Sequence, residues 1–170
     1  LLITCPSGSG KSTVLDAVAA VLTPPPQLSL NAAASNGGQR DKGRSISNYV
    51  RGACGHSADE EGEVVHTYLR PKAAVWSGVM LRYEDGFDIE QCSPSEARRH
   101  EAINVLGIFF QKANTVNPEG LKKFFAVVRG DHALSEFEPY GLNEADMAQF
   151  NKDHKETGRA WRDHAAFEGY

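Results

Sequence analysis

The chain has 170 residues, 41% of them apolar and 24% charged, so it can build one domain and is neither wholly disordered nor collagen-like. Its uncharged apolar stretches fall far short of the roughly 20 residues a membrane span needs, and no basic lead precedes an apolar run as in a secretory signal. With 18 basic against 22 acidic side chains the net charge is −4, which argues against a dedicated nucleic-acid-binding domain.

Leu1–Thr4 reads as a short buried strand. It opens without Met or a lead-in, so the chain is expected to be a piece of a larger protein. Cys5–Gly10 is a Gly/Ser/Pro loop. From Lys11 to Leu22 the apolar residues Val14, Leu15, Val18, Val21 and Leu22 recur at helical spacing, which predicts an amphipathic helix with those side chains inward. Thr23 and Pro24-Pro25-Pro26 end it, because proline removes donors and turns the preceding residue away from helical angles. Residues 27–44 are loop-like. Ser45 is placed to cap a short helix through Arg51, with Gly52 as its stop.

Glu63–Leu69 and Ala73–Tyr83 read as strands rich in Val, Tyr and Trp, linked by Arg70-Pro71-Lys72. Tyr83–Gly86 is a turn signal, and Ser93-Pro94 with Glu96 looks like a helix start running to Glu101. Val105–Gln111 is a strand candidate, Pro118–Lys123 a helical turn, and Phe124–Val128 a buried strand. Asn143–Thr157 is predicted helical, with Asn143 as cap, Met147 and Phe150 inward and Gly158 as stop. The alternating aromatic and charged residues of 159–170 give no clear element. Helices interleaved with strands of both apolar and alternating kinds define a mixed α/β class.

Two charge runs stand out. Arg40, Lys42, Arg44 and Arg51 face only Asp41, while Asp59, Glu60, Glu61 and Glu63 follow soon after. Both read as solvated loops. Cys5, Cys54 and Cys92 form no C-x-x-C pair and suit a reducing compartment, and no structural metal is expected.

The chemistry sits at Ile3-Thr4-Cys5-Pro6-Ser7-Gly8-Ser9-Gly10-Lys11-Ser12-Thr13. This fits the phosphate-loop pattern G-x-x-x-x-G-K-[ST] except at its first glycine, which is Cys5. A strand before and a helix after supply the context the mechanism needs. Backbone amides of Ser7 to Ser12 can converge on one point, which the positive end of the helix also faces. Gly8 and Gly10 let the backbone approach phosphate oxygens. Lys11 would reach the β- and γ-phosphates, the Ser12 hydroxyl would bind Mg2+, and Thr13 would bond the α-phosphate. The binding set is therefore Cys5, Pro6, Ser7, Gly8, Ser9, Gly10, Lys11, Ser12 and Thr13, with ATP and Mg2+ as ligands. Cys5 is small, so a less ideal turn is expected and not loss of binding.

Hydrolysis would also need an acidic residue ending an apolar strand. Phe124–Val128 is followed by Arg129-Gly130-Asp131, so the acid comes two residues late and the segment reads as core. Ser35-Asn36-Gly37-Gly38-Gln39-Arg40 is similar to the S-G-G-Q signature of ABC-type ATPases but lacks its following strand; Cys54–Ala58, before Asp59-Glu60, does not read as a buried strand. No catalytic residue is assigned, and the chain alone is expected to be inactive.

The run ITCPSGSGKSTVLDAVAAVLTPPPQLSLNAAASNGGQRDKGRSISNYVRG resembles the N-terminal ATPase head of the MukB/JetC branch of SMC-like proteins, with TYLRPKAAVWSGVMLRYEDG similar only as a strand pattern. The resemblance implies an α/β P-loop NTPase, here a partial ABC/SMC-type head lobe with a mixed sheet and flanking helices over residues 1–170. A coiled coil, a hinge and a C-terminal lobe carrying signature and acidic strand would follow. It implies a homodimer of heads around two ATPs, kleisin and winged-helix subunits, DNA as substrate, and a cytoplasmic, nucleoid-associated place without a membrane. The work would be chromosome organisation or plasmid defence. By position Arg51 matches the arginine of SMC heads near nucleotide and DNA, Arg40 is a second such candidate, and Gln111 is the candidate for the glutamine on Mg2+. The alternative reading is a small guanylate-kinase-like enzyme, with Arg98, Arg99 and Arg129 available for a lid.

Overall fold

A computed structural model describes residues 11–24, 27, 28, 30, 45–58, 64–85, 93, 101–115 and 120–168. The chain divides into two compact units. The first holds Leu1–Val75 with Gln111–Leu121, and the second holds Trp76–Phe110 with Lys122–Tyr170.

In the first unit, helix α1 runs from Lys11 to Leu22, the span its apolar spacing predicts. A tight turn follows, in which the amides of Gln27 and Leu28 bond the Pro24 carbonyl. Helix α2, Ile46–Arg51, begins where Ser45 Oγ accepts from the Asn48 amide at 3.2 Å. It ends at Gly52, whose φ of 69° only glycine adopts freely, and whose amide returns to the carbonyls of Asn48 and Tyr49. Both boundaries agree with the sequence reading. Strands β1 (Ala53–Ala58) and β2 (Val64–Tyr68) then pair antiparallel, Ala53 opposite Tyr68 and Ala58 opposite Val64. Strand β1 is an element the sequence reading did not assign: Ala-Cys-Gly-His-Ser-Ala has little β-propensity of its own, and it pairs with β2.

The second unit is built on a four-stranded antiparallel sheet of β3 (Val75–Tyr83), β4 (Ile103–Gln111), β5 (Leu121–Arg129) and β6 (Gly158–Trp161), in that order. Strands β5 and β6 pair with Phe125 opposite Trp161 and Val128 opposite Gly158. The expected mixed sheet is thus not what the described residues form. Residues 121–123 belong to β5 and not to a helical turn, and the Lys112 amide bonds the Gly120 carbonyl at 3.1 Å where β4 gives way to β5. Residues 94–100 lie outside the described residues.

Period-two alternation places the apolar residues of β4 and β5 on both faces of the sheet. Leu106, Ile108 and Phe110 with Phe124, Ala126 and Val128 form one core face against Phe137, Ala145 and Phe150. Phe109 and Phe125 turn to the other face and meet edge-on at 6.1 Å. There Phe125 packs on His164 at 4.9 Å and Phe167 at 5.8 Å. Covering on both faces requires apolar residues on both faces. Each fully buried phenylalanine contributes roughly 2 kcal/mol.

The first cover comes from a 3-10 turn at Leu134–Phe137, helix α3 (Glu138–Leu142) and helix α4 (Met147–Asp153). Gly141 of α3 lies against Trp76, so close that a Cβ there would sit 2.5 Å from the indole. Phe150 is buried and Met147 packs beside the core as expected, but the helix starts later than predicted. Glu144 and Ala145 adopt left-handed angles, which break a helix, and the cap is Asp146, accepting from the Gln149 amide at 3.0 Å. Asn143 instead donates to the Asp146 carboxylate at 2.8 Å. Helix α4 ends at Asp153, and Gly158 opens β6 where a stop was expected. Helix α5, His164–Glu168, supplies the second cover.

Candidate functional site

Helix α1 presents the first-turn hydroxyls of the phosphate-loop motif. Ser12 and Thr13 are both exposed, and the first turn carries no acidic residue. The first turn thus sets no carboxylate of its own against the positive helix end, which suits an anion. Cys5, Pro6, Ser7, Gly8, Ser9, Gly10 and Arg40 lie outside the described residues, as does the Ser35–Arg40 run.

The buried side of α1 is not the one its apolar pattern selects. Asp16, Ala20 and Val21 are buried, at 6%, 8% and 0% exposure, while Val14, Leu15 and Leu22 are exposed. The buried carboxylate meets a donor from α2: the Tyr49 hydroxyl donates to Asp16. A buried carboxylate needs such a donor. Of the predicted inward set only Val21 is fully buried.

Arg51 ends α2 and is fully buried. Its Nε donates to the Thr115 carbonyl at 2.7 Å, and Nη1 donates to the carbonyls of Arg70 at 2.7 Å and Ala73 at 2.5 Å. Nη2 donates to the Lys112 carbonyl. Its own carbonyl accepts from the Arg70 amide at 3.3 Å. The guanidinium thus spends its planar fork on four main-chain oxygens, tying α2 to residues 70–73 and 112–115. Burial pulls its pKa below the ordinary arginine value, and nearby Tyr68 opposes that. Arg51 is therefore no member of a solvated basic loop.

Beside it, the Tyr68 hydroxyl donates to Asn48 Oδ1 at 2.9 Å. Burial raises the Tyr68 pKa, against the nearby Arg51 charge. Gln111 is buried at the end of β4, and its Nε2 donates to Thr115 Oγ1 at 2.8 Å and to the Thr115 carbonyl at 3.3 Å. Gln111 and Arg51 thus both hold the 112–115 turn.

Phe124–Val128 is core strand, as the late acid suggested. Asp131 beyond it is exposed and paired with Arg82, whose guanidinium holds its carboxyl below the usual range. Sequence reasoning missed the Asp16–Tyr49 pair. Its signal was an acid placed between the apolar positions of a helix.

Residues 1–37 match the model of a family described as the P-loop containing region of AAA domain. The match takes in the phosphate loop, α1 and the proline turn, and ends before α2. It supports a P-loop ATPase and a nucleotide-binding region. No curated protein matches the chain. No helix among the described residues is long and apolar enough to cross a membrane.

Proposed function

We propose that this chain binds ATP with Mg2+ at the N-terminus of α1, as the N-terminal lobe of an SMC-like ATPase head. One observation carries the reading: the sequence Gly8-Ser9-Gly10-Lys11-Ser12-Thr13 runs into a helix whose first turn exposes Ser12 and Thr13 and holds no acid. Loop amides and the helix end hold the phosphates, Lys11 neutralises the terminal ones, and the Ser12 hydroxyl is the protein's ligand to Mg2+. Hydrolysis belongs to the assembled dimer of heads, where a second lobe supplies signature and acid. Kleisin and winged-helix subunits and DNA complete that assembly, in chromosome organisation or plasmid defence.

The Tyr-Val-Arg-Gly segment fits this reading in a specific way. Tyr49 meets the phosphate-loop helix, Val50 is core, Arg51 anchors the segment, and Gly52 turns the chain into β1. Lys11→Ala removes the cation of the loop and is expected to abolish binding in a titration with Mg·ATP. Unchanged affinity in that variant would refute the assignment.

A further inference from the structure

We infer that the β3 edge of the second unit's sheet is an interface whose occupant is a second copy of this chain, the two β3 strands pairing antiparallel across a two-fold axis. The inference goes beyond the nucleotide-binding reading and does not rest on it.

The strand order leaves β3 and β6 at the two edges of the sheet, and the fold treats them differently. Strand β6 has four residues, and the Asn151 carboxamide occupies the amide and carbonyl of its Ala160 at 2.7 and 3.2 Å. Strand β3 has nine residues and, among the described residues, pairs with β4 alone. Along its other side the main-chain donors and acceptors are left for a further strand. The usual guards of an edge are missing from it. Val75–Tyr83 contains no proline and one charged side chain. That charge, Arg82, is turned into ion pairs with Glu84 and Asp131. Most of the other residues are of kinds that favour strands.

The strand suits its own copy. Trp76 and Met80 pack on the core, so by alternation Val75, Ser77, Val79, Leu81 and Tyr83 share the opposite face. Opposed residues of an antiparallel pair lie on the same face of a sheet. A two-fold axis perpendicular to the sheet therefore sets core beside core and apolar face beside apolar face. With the axis at Val79, the middle of the strand, Val75 stands opposite Tyr83, Ser77 opposite Leu81, and Val79 opposite its counterpart. Arg82 falls opposite Trp76, so no like charges meet across the pair. Pairing also shelters Tyr83, 50% exposed in the single chain, beside Val75 of the second copy.

The test is sedimentation of the whole chain without nucleotide, over concentrations of about 1 to 200 μM. The expected result is a reversible shift from 18.5 kDa toward twice that mass. Val79→Lys sets two like charges face to face at the axis and is expected to weaken association by about tenfold or more. Should that variant fold poorly, hydrogen exchange on the wild-type chain decides. Alternate amides of β3 are expected to exchange more slowly as concentration rises, while those of β6 stay unchanged. A chain that remains monomeric at the highest concentration overturns the inference. So does a dimer indifferent to Val79→Lys in a folded variant, association that appears only with Mg·ATP, or concentration-dependent protection that spares β3.

Discussion

Arg51 illustrates how one side chain can hold three segments of chain. Lysine in its place keeps the charge but offers three donors from a single point, which cannot reach four carbonyls spread around a planar fork. Arg51→Lys should therefore lower stability by about 2–4 kcal/mol, read as a shift in the urea midpoint, since buried carbonyls would be left unpaired. An unshifted midpoint would mean that those carbonyls find other partners. A second residue-scale effect lies in the other unit, at His154. Its ring packs on Phe150 at 4.6 Å and its Nε2 lies 3.3 Å from the Tyr140 hydroxyl. Burial lowers its pKa from the ordinary 6.5, and the neighbouring charge of His132 acts the same way, against Asp153 and Glu136. The unfolded chain thus takes up a proton at a pH where the fold still resists it, and stability present above that range is lost as pH falls through it. Melting temperature should drop on acidification from pH 7.5 to 5.5, and His154→Gln should flatten that slope. The carboxylates of Asp131, Glu136 and Asp153, held below their ordinary range, act at lower pH and leave this window clear. A slope as steep in the variant would exclude His154 as its source.

At the level of elements, the outcome depends on where the deciding partner lies. The bounds of α1 and both ends of α2 were legible because their signals are local: apolar spacing, a proline run, a capping serine and a terminal glycine. The strands β4 and β5 were legible because two covered faces leave an apolar run. The rotation of α1 was not, since its partner Tyr49 stands 33 positions from Asp16. Nor was the burial of Arg51, whose carbonyl partners at 112 and 115 are 61 and 64 positions away. Helix α4 failed at its start because two left-handed residues, neither of them glycine, interrupt the pattern. The phosphate loop was the most legible feature of all, being a motif whose residues are contiguous. Another long-range device protects the sheet edge. Asn151 of α4 accepts from the Ala160 amide at 2.7 Å and donates to the Ala160 carbonyl at 3.2 Å, so a carboxamide stands where another strand would pair. Asn151→Ala should destabilise the fold by about 1–3 kcal/mol in chemical unfolding and raise its tendency to associate on heating. Unchanged stability and solubility would show that water serves that edge equally well.

For the molecule as a whole, sequence and comparisons agree on a P-loop region, and the fold adds an antiparallel sheet with apolar cover on both faces. What neither a motif nor an average composition reveals is the route of the chain between the two units. It leaves the first after Val75, returns at Gln111 and leaves again after Leu121. The carbonyls gathered by Arg51 come from both visits, at 70 and 73 on the first and at 112 and 115 on the second. The order of synthesis therefore matters to this fold. While a ribosome is still adding residues before position 112, Arg51 has only half of its partners, and the helix that presents Tyr49 to the phosphate-loop helix has no finished anchor. The first unit can close only after residues 112–115, which follow strands β3 and β4 in the chain, have been made.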